Sequence, residues 1–166
     1  MRNGMSSLMG FLIMALVTIP FTFAGDEKVP LDKLPKEVVK AVTSKFAKAK
    51  MESAVKTTID GKPGFEVTLK AGKFGIDVSV TSEGKIVQVE KEMAFDDLPK
   101  PVATAFNAKY AKVKIKRIEE LSKEDKIISY ELLIESAEKT LEAYFDPQGK
   151  FLQEKDVTPK KVEKAK

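Results

Sequence analysis

An internal repeat is the feature of this sequence that most constrains its fold. The segment Leu-Pro-Lys at 34–36 recurs at 98–100, a shift of 64 positions. After one inserted residue, Phe-Glu-Val at 65–67 matches Tyr-Glu-Leu at 130–132. Because the matches keep one register, we predict that the fold contains two copies of one unit.

Each copy is predicted to begin with a helix. Pro35 and Pro99 fit the first turn of a helix, where the missing N–H costs nothing, and Asp32 lies near the positive end of the first helix dipole. The apolar residues that follow recur every three or four positions, which places them on one helix face. These residues are Leu34, Val38, Ala41, Val42, Phe46 and Ala49 in the first copy, and Val102, Ala105, Phe106 and Tyr110 in the second. We expect both faces to be buried against strands.

After each helix the pattern changes to alternation, which predicts antiparallel strands joined by short turns. Turn-forming residues at 60–64, 71–73 and 82–84 divide the first copy into four strands. The strands predicted for the second copy are 113–121, 127–135, 140–145 and 150–157. The fold class is therefore α+β, with two tandem modules that each contain one helix and a four-stranded antiparallel sheet. One module alone buries only a marginal core, so the two are expected to share a continuous core or one long sheet.

The first residues have the layout of a cleaved secretory signal. Arg2 supplies a positive charge, a short apolar run follows, and Thr-Phe-Ala at 22–24 offers small residues at the cleavage positions. An uncleaved membrane anchor is the alternative, but the apolar run is at the lower limit for spanning a bilayer. The predicted organisation is a signal peptide at 1–24, repeats at 25–93 and 94–157, and a frayed Lys-rich tail at 158–166. The predicted location is the periplasm or the medium outside the cell.

The composition excludes several classes of function, since the chain has no Cys, His or Trp. Without Cys the fold cannot be a disulfide-stapled scaffold. Without His or Cys there is no Ser-His-Asp or Cys-His nucleophile and no usual zinc or copper site. Lysines and acidic residues are interspersed, and the net charge is only +4, which disfavours nucleic-acid binding. We predict a protein that is not an enzyme and that needs no cofactor or metal.

The second copy carries the pattern of a known family. Leu-Pro at 98–99 starts a helix that ends at Tyr110, and Tyr-Glu-Leu at 130–132 and Phe-Asp-Pro-Gln-Gly-Lys at 145–150 follow. This pattern resembles the PepSY-like, β-lactamase-inhibitor-like family of exported bacterial proteins, and the resemblance extends over both repeats. The first copy departs from the pattern at 81–84, where Thr-Ser-Glu-Gly lacks the Asp-Pro pair.

The resemblance implies tandem helix-on-sheet modules, as in β-lactamase inhibitory protein, whose sheet surface grips its target. It also implies a link to PepSY domains of protease propeptides, which are associated with peptidase inhibition. The implied function is binding or inhibition of a protein, such as a peptidase or another envelope enzyme, through the surface of the sheet. The implied partner is a protein in the cell envelope or outside the cell, with no nucleic acid and no stable membrane insertion.

Alternation also identifies the residues of the second copy that point away from its helix. These predicted partner-binding residues are Glu131, Leu133, Glu135, Thr140, Glu142 and Tyr144. Leu133 and Tyr144 are apolar or aromatic where alternation calls for polar residues, which favours contact with a partner. The alternative is that these two side chains are ordinary exposed residues or pack against the other repeat.

Two other functions stay open at this point. Acidic pairs could offer oxygen ligands to a cation or small ligand, although their spacing is not that of a calcium loop. The pairs are Asp96-Asp97, Glu119-Glu120 and Glu124-Asp125. Paired carboxylates could also serve a glycosidase-like enzyme, but no apolar pocket for a substrate is evident from the sequence.

Overall fold

The computed structural model describes residues 27–136 and 139–159, which form eight antiparallel strands and two α-helices. The first repeat contains α1 (Lys36–Lys45), β1 (Lys50–Ile59), β2 (Lys62–Ala71), β3 (Phe74–Thr81) and β4 (Ile86–Glu92). The second contains α2 (Lys100–Lys109), β5 (Lys114–Lys123), β6 (Lys126–Ser136), β7 (Lys139–Phe145) and β8 (Phe151–Asp156). A short 3-10 helix precedes each α-helix, at Leu31–Lys33 and at Phe95–Asp97. The predicted order of one helix followed by four strands is therefore present twice.

All eight strands belong to one sheet, and they pair in chain order from β1 to β8. The repeats join where β4 pairs with β5, from Gln88 opposite Lys123 to Glu92 opposite Glu119. This pairing corrects the description of two modules that each have their own four-stranded sheet, and it agrees with the expectation that the modules share one long sheet. Its physical reason is that β4 and β5 would otherwise be sheet edges with unpaired backbone N–H and C=O groups.

Each helix covers its own half of the sheet. Val38 and Val42 of α1 are fully buried against strands β1 to β4, and Val102 and Phe106 of α2 are buried against β5 to β8. The burial predicted for these four side chains is confirmed. The buried residues form two clusters, one under each helix, so the sheet joins the repeats without a continuous core.

Two aromatic residues predicted to be buried are only half-buried. Phe46 and Tyr110 directly follow the last residues of α1 and α2, and both pack at the margin of their clusters. Their exposure follows from their position, because the backbone leaves the sheet surface where the helix ends.

The predicted signal peptide at 1–24 lies outside the described residues, as do residues 160–166 of the tail. The repeat boundaries at 25–93 and 94–157 stay predictions. In the part of the chain that the structure describes, neither helix is long and apolar enough to cross a membrane.

Candidate binding surface

The face of the sheet opposite the two helices carries polar and charged side chains. Residues directly opposite each other in antiparallel strands point to the same side of a sheet, and successive residues point to opposite sides. Because Val78, Val89 and Leu132 face the helices, their chain neighbours Asp77, Glu90 and Glu131 face away from them. We call this side of the sheet the open face.

All six predicted partner-binding residues lie on the open face. They form three cross-strand pairs between β6 and β7, namely Glu131 with Tyr144, Leu133 with Glu142, and Glu135 with Thr140. Whether they bind a partner stays a prediction.

The expectation that these six side chains are exposed is wrong for two of them. Glu131 is only 6% exposed and Tyr144 only 8% exposed, while the other four are half-buried. The reason is that β6 and β7 are interior strands of the long sheet. Their open-face side chains therefore have neighbours on both sides, such as Glu119 on β5 and Gln153 on β8.

The open face also carries charged residues that the sequence analysis did not assign to a site. Six carboxylate residues lie on five adjacent strands, and we call them the acidic cluster: Asp77, Glu90, Glu92, Glu119, Glu131 and Glu142. Arg117 lies within this cluster, with its Nε 3.0 Å from Oε2 of Glu119. Three of these carboxylates, Asp77, Glu90 and Glu92, lie on first-repeat strands that only the β4–β5 pairing joins to the second repeat. These residues could have been identified from the sequence only if the pairing of β4 with β5 had been predicted.

The acidic pairs considered as cation ligands do not come together. Glu119 lies on the open face, whereas Glu120 is opposite Tyr130 on the helix side, because adjacent strand residues point to opposite sides. Asp96-Asp97 belongs to a 3-10 helix, and Glu124-Asp125 lies in the turn between β5 and β6. No group of three acidic residues in the described segments is placed to hold a metal ion.

The environment of the acidic cluster changes the protonation of its members. Burial, opposed by Arg117 and reinforced by the charges of Glu131 and Glu90, raises the pKa of Glu119 to about 8. Burial also raises the pKa of Glu131 to about 7, although the neighbouring Tyr144 hydroxyl favours its ionised form. These carboxyl groups are thus only partly ionised near neutral pH.

The other members respond to the same surroundings. Burial and the charge of Asp77 raise the pKa of Glu90 above its usual range, although a hydrogen bond from Gln88 opposes this. Partial burial disfavours the charge of Arg117, but the carboxylates of Glu119 and Glu131 outweigh it and raise the pKa of that guanidinium. Burial raises the pKa of the Tyr144 hydroxyl, so it stays protonated and donates to Oε2 of Glu142 at 2.9 Å.

The described residues also form a polar cavity on the helix side. It has a volume of about 460 Å³ and lies between the end of α1, strand β4 and the β5–β6 turn. An ion pair between Lys45 and Asp125 lies at this cavity, and Lys85 Nζ is 3.1 Å from Oε1 of Glu124. The cavity is a second candidate location for a ligand.

Comparisons with solved structures show the fold and no more, since every identity is low. A "putative periplasmic" protein of Bacteroides eggerthii is similar with a TM-score of 0.65 at 15% identity, over 75% of this chain and 89% of that one. A DUF2874 family protein of Bacteroides uniformis has a TM-score of 0.63 at 15% identity, over 76% of this chain and 91% of that one. A BLIP-like protein of Bacteroides fragilis has a TM-score of 0.60 at 20% identity, over 74% of this chain and 86% of that one.

The comparison with family models gives the family. A comparison with curated proteins found no matching relative. The family model described as "Putative beta-lactamase-inhibitor-like, PepSY-like" matches the chain twice in tandem, at residues 24–88 and 87–153. The two matches correspond to the two helix-plus-four-strand repeats and together cover more than half of the sequence. The chain therefore belongs to the PepSY-like family.

Proposed function

We propose that this protein is a non-enzymatic binding module that acts on another protein through the open face of its sheet. The observation that carries the proposal is the placement of the acidic cluster, in which Glu119 and Glu131 are buried, at the centre of a face that no described element covers. Burying carboxylates such as Glu119 and Glu131 is costly unless a binding partner or neighbouring groups compensate. A rigid sheet holds such side chains at fixed positions, as a recognition surface requires.

The fold and the family support this proposal by analogy. One of the similar structures is named for its likeness to β-lactamase inhibitory protein, and the family model carries the same description. We infer that the action of the present chain is binding, with inhibition of a peptidase or another envelope enzyme as its consequence.

We further propose that the protein acts in the periplasm or outside the cell. The signal-like layout of residues 1–24 supports this proposal. One similar structure is that of a "putative periplasmic" protein, which also supports it. Mass spectrometry of the protein from its native compartment tests this proposal. A mass that begins at Gly25 is expected, and a mass that retains Met1 would contradict it.

Photo-cross-linking can test which face binds. A benzophenone amino acid is placed at Leu133 or Thr68 on the open face, and at Lys40 or Thr104 on the outer surfaces of α1 and α2 as matched controls. After irradiation in an envelope extract, we expect a discrete adduct from the open-face positions and none from the helix positions. Adducts from the helix positions alone would place the binding surface on the other side and reject the proposal.

The cavity beside Lys45 and Asp125 favours small-ligand binding as a second candidate function. Its paired charges and half-buried walls suit a small zwitterionic or polar molecule. A thermal-shift screen with polar metabolites and cations tests this alternative. A ligand that raises the melting temperature of the native protein, but not of a Lys45→Met variant, would support it.

A further inference from the structure

The open face has a local charge opposite to that of the whole protein. The chain has a net charge of +4, yet the acidic cluster places six carboxylate residues around the single guanidinium of Arg117. Among the described residues, this cluster forms one ion pair, between Arg117 and Glu119. Lys155 lies at the margin, where its Nζ is 4.9 Å from the centre of the Tyr144 ring. The centre of the face thus carries more acidic groups than basic ones.

Arg117 shows how this face holds a basic group. Its side chain is 43% exposed, whereas the side chain of Glu119 beneath it is 4% exposed. The guanidinium therefore lies at the surface and contacts a carboxylate that is fixed below it in the sheet. Glu90, Glu131 and Glu142 extend the same type of surface beyond Arg117, across strands β4, β6 and β7.

The dimensions of the cluster match a polypeptide better than a single ion. Neighbouring strands lie about 4.8 Å apart, so five strands spread the carboxylates over roughly 19 Å. No three of the described carboxylates converge on one point where a metal ion could bind. Leu121 and Leu133 lie among them on the same face, and apolar side chains of this kind can pack against the aliphatic stems of lysine or arginine.

We propose that the open face docks a basic segment of a partner protein, with successive lysines or arginines of the partner placed along Glu90, Glu131 and Glu142. This inference rests on the proposed function and adds the chemistry of the partner. Ion pairs formed with carboxylates that are already desolvated are stronger than those of an exposed surface, because less water must be removed on binding. Burial raises the pKa of Glu90 and of Glu131, and a cation of the partner would favour the ionised form of both.

Fluorescence anisotropy with the full chain tests the proposal. The probe is a labelled synthetic peptide with lysines at alternate positions, and the comparison peptide has acetyl-lysine at the same positions. We expect the lysine peptide to bind at least about tenfold more tightly, with an affinity that falls as the salt concentration rises.

Variants that remove charge from the acidic cluster test the same proposal. The double variant Glu90→Gln with Glu142→Gln should weaken binding of the lysine peptide about tenfold. Glutamine can still accept the hydrogen bonds from Gln88 and Tyr144 that the native carboxylates accept. Asp32→Asn with Glu37→Gln removes the same charge from exposed positions near α1 and should leave the affinity unchanged. Should the first variant fold poorly, Leu133→Arg, which adds a cation to the open face, should also abolish binding.

Three results would overturn the proposal. The first is equal affinity for the lysine and acetyl-lysine peptides, and the second is equal loss in the control variant. The third is binding of spermine that matches the lysine peptide and is lost in the Gln variant, which would make the occupant a small polycation. Cross-links at Leu133 and Thr68 that persist without peptide binding reject the basic segment but keep the proposed function. Loss of both readouts rejects both.

Discussion

Phe106 lies at the centre of an aromatic group beneath α2. Its ring centroid is 5.3 Å from that of Tyr110, 6.0 Å from Phe95 and 6.3 Å from Phe145, and the residue is 2% exposed. Phe106→Ala removes these contacts and leaves a cavity, so the free energy of unfolding should fall by roughly 3–5 kcal/mol. Urea denaturation measures this loss. Ile127→Ala, at a residue 43% exposed, is the control and should cost less than about 1 kcal/mol. Comparable losses would mean that the ring is not packed as described.

The buried carboxyl groups predict how stability depends on pH. The pKa of Glu119 is about 8 and that of Glu131 about 7 in the folded protein, against an ordinary value of 4.5. Between pH 4.5 and 8 the folded state binds more protons than the unfolded state, so the free energy of unfolding decreases as the pH rises. From pH 6 to pH 9 we expect a loss on the order of 4 kcal/mol, because each proton difference is worth about 1.4 kcal/mol per pH unit.

Denaturation at a series of pH values checks this dependence. Glu119→Gln removes one of the two titrating groups and should flatten the curve, whereas Glu37→Gln on α1 should keep the native slope. A stability that is constant or rises from pH 6 to pH 9 would contradict the raised pKa values.

The turn that connects the last two strands of each repeat also positions the helix of that repeat. Gly84 and Gly149 occupy equivalent positions, and both have the positive φ that favours glycine. A Cβ on Gly149 would lie 2.4 Å from the carbonyl oxygen of Pro101 in α2, and one on Gly84 would lie 2.7 Å from that of Glu37 in α1. The Gly-Lys pair that both repeats share, at 84–85 and 149–150, therefore marks a contact between this turn and the first turn of the helix.

Substitutions separate the two reasons for glycine in these turns, which are the positive φ and the close approach of the helix backbone. Gly72→Ala meets only the cost of a positive φ, about 1–2 kcal/mol, since no atom lies within 4 Å of the added methyl group. Gly149→Ala meets that cost and must also displace α2, so its loss of unfolding free energy should be clearly larger. Chemical denaturation of both variants measures the difference. Equal losses would show that the contact with α2 relaxes freely.

Local patterns predicted the elements well, because helix and strand periodicities are properties of neighbouring residues. The departure of the first repeat at 81–84 also has a local explanation. Asp146 accepts hydrogen bonds from the backbone N–H groups of Gln148 and Lys150, and the hydroxyl of Thr81 accepts the equivalent bond from Lys85. A different side chain thus serves the same turn, so the missing Asp-Pro pair does not alter the hairpin.

The candidate site could be predicted only in part, because it depends on contacts between the repeats. Alternation placed Glu131 and Tyr144 on the correct face, but burial depends on the number of neighbouring strands, which no local pattern states. Glu90 and Glu119 become neighbours across the sheet only through the pairing of β4 with β5. The sequence analysis did not assign this strand pair, and it therefore could not identify the acidic cluster.

At the scale of the whole molecule, the pairing of β4 with β5 should couple the unfolding of the two repeats. Breaking it would expose two sheet edges with unpaired backbone N–H and C=O groups. The two hydrophobic clusters are separate, so this strand pair is the main connection that can transmit stability from one repeat to the other. We therefore predict a single cooperative transition for the described fold.

The tyrosines make this coupling measurable. All three lie in the second repeat, so tyrosine fluorescence reports on that repeat alone, whereas far-ultraviolet circular dichroism reports on both. Leu69→Ala removes a buried side chain from the core of the first repeat and should cost about 2–5 kcal/mol. If the repeats unfold together, this substitution shifts the fluorescence transition and the dichroism transition to the same lower urea concentration. A fluorescence transition that stays at its native midpoint while the dichroism curve splits into two would show that each repeat unfolds independently, despite the shared sheet.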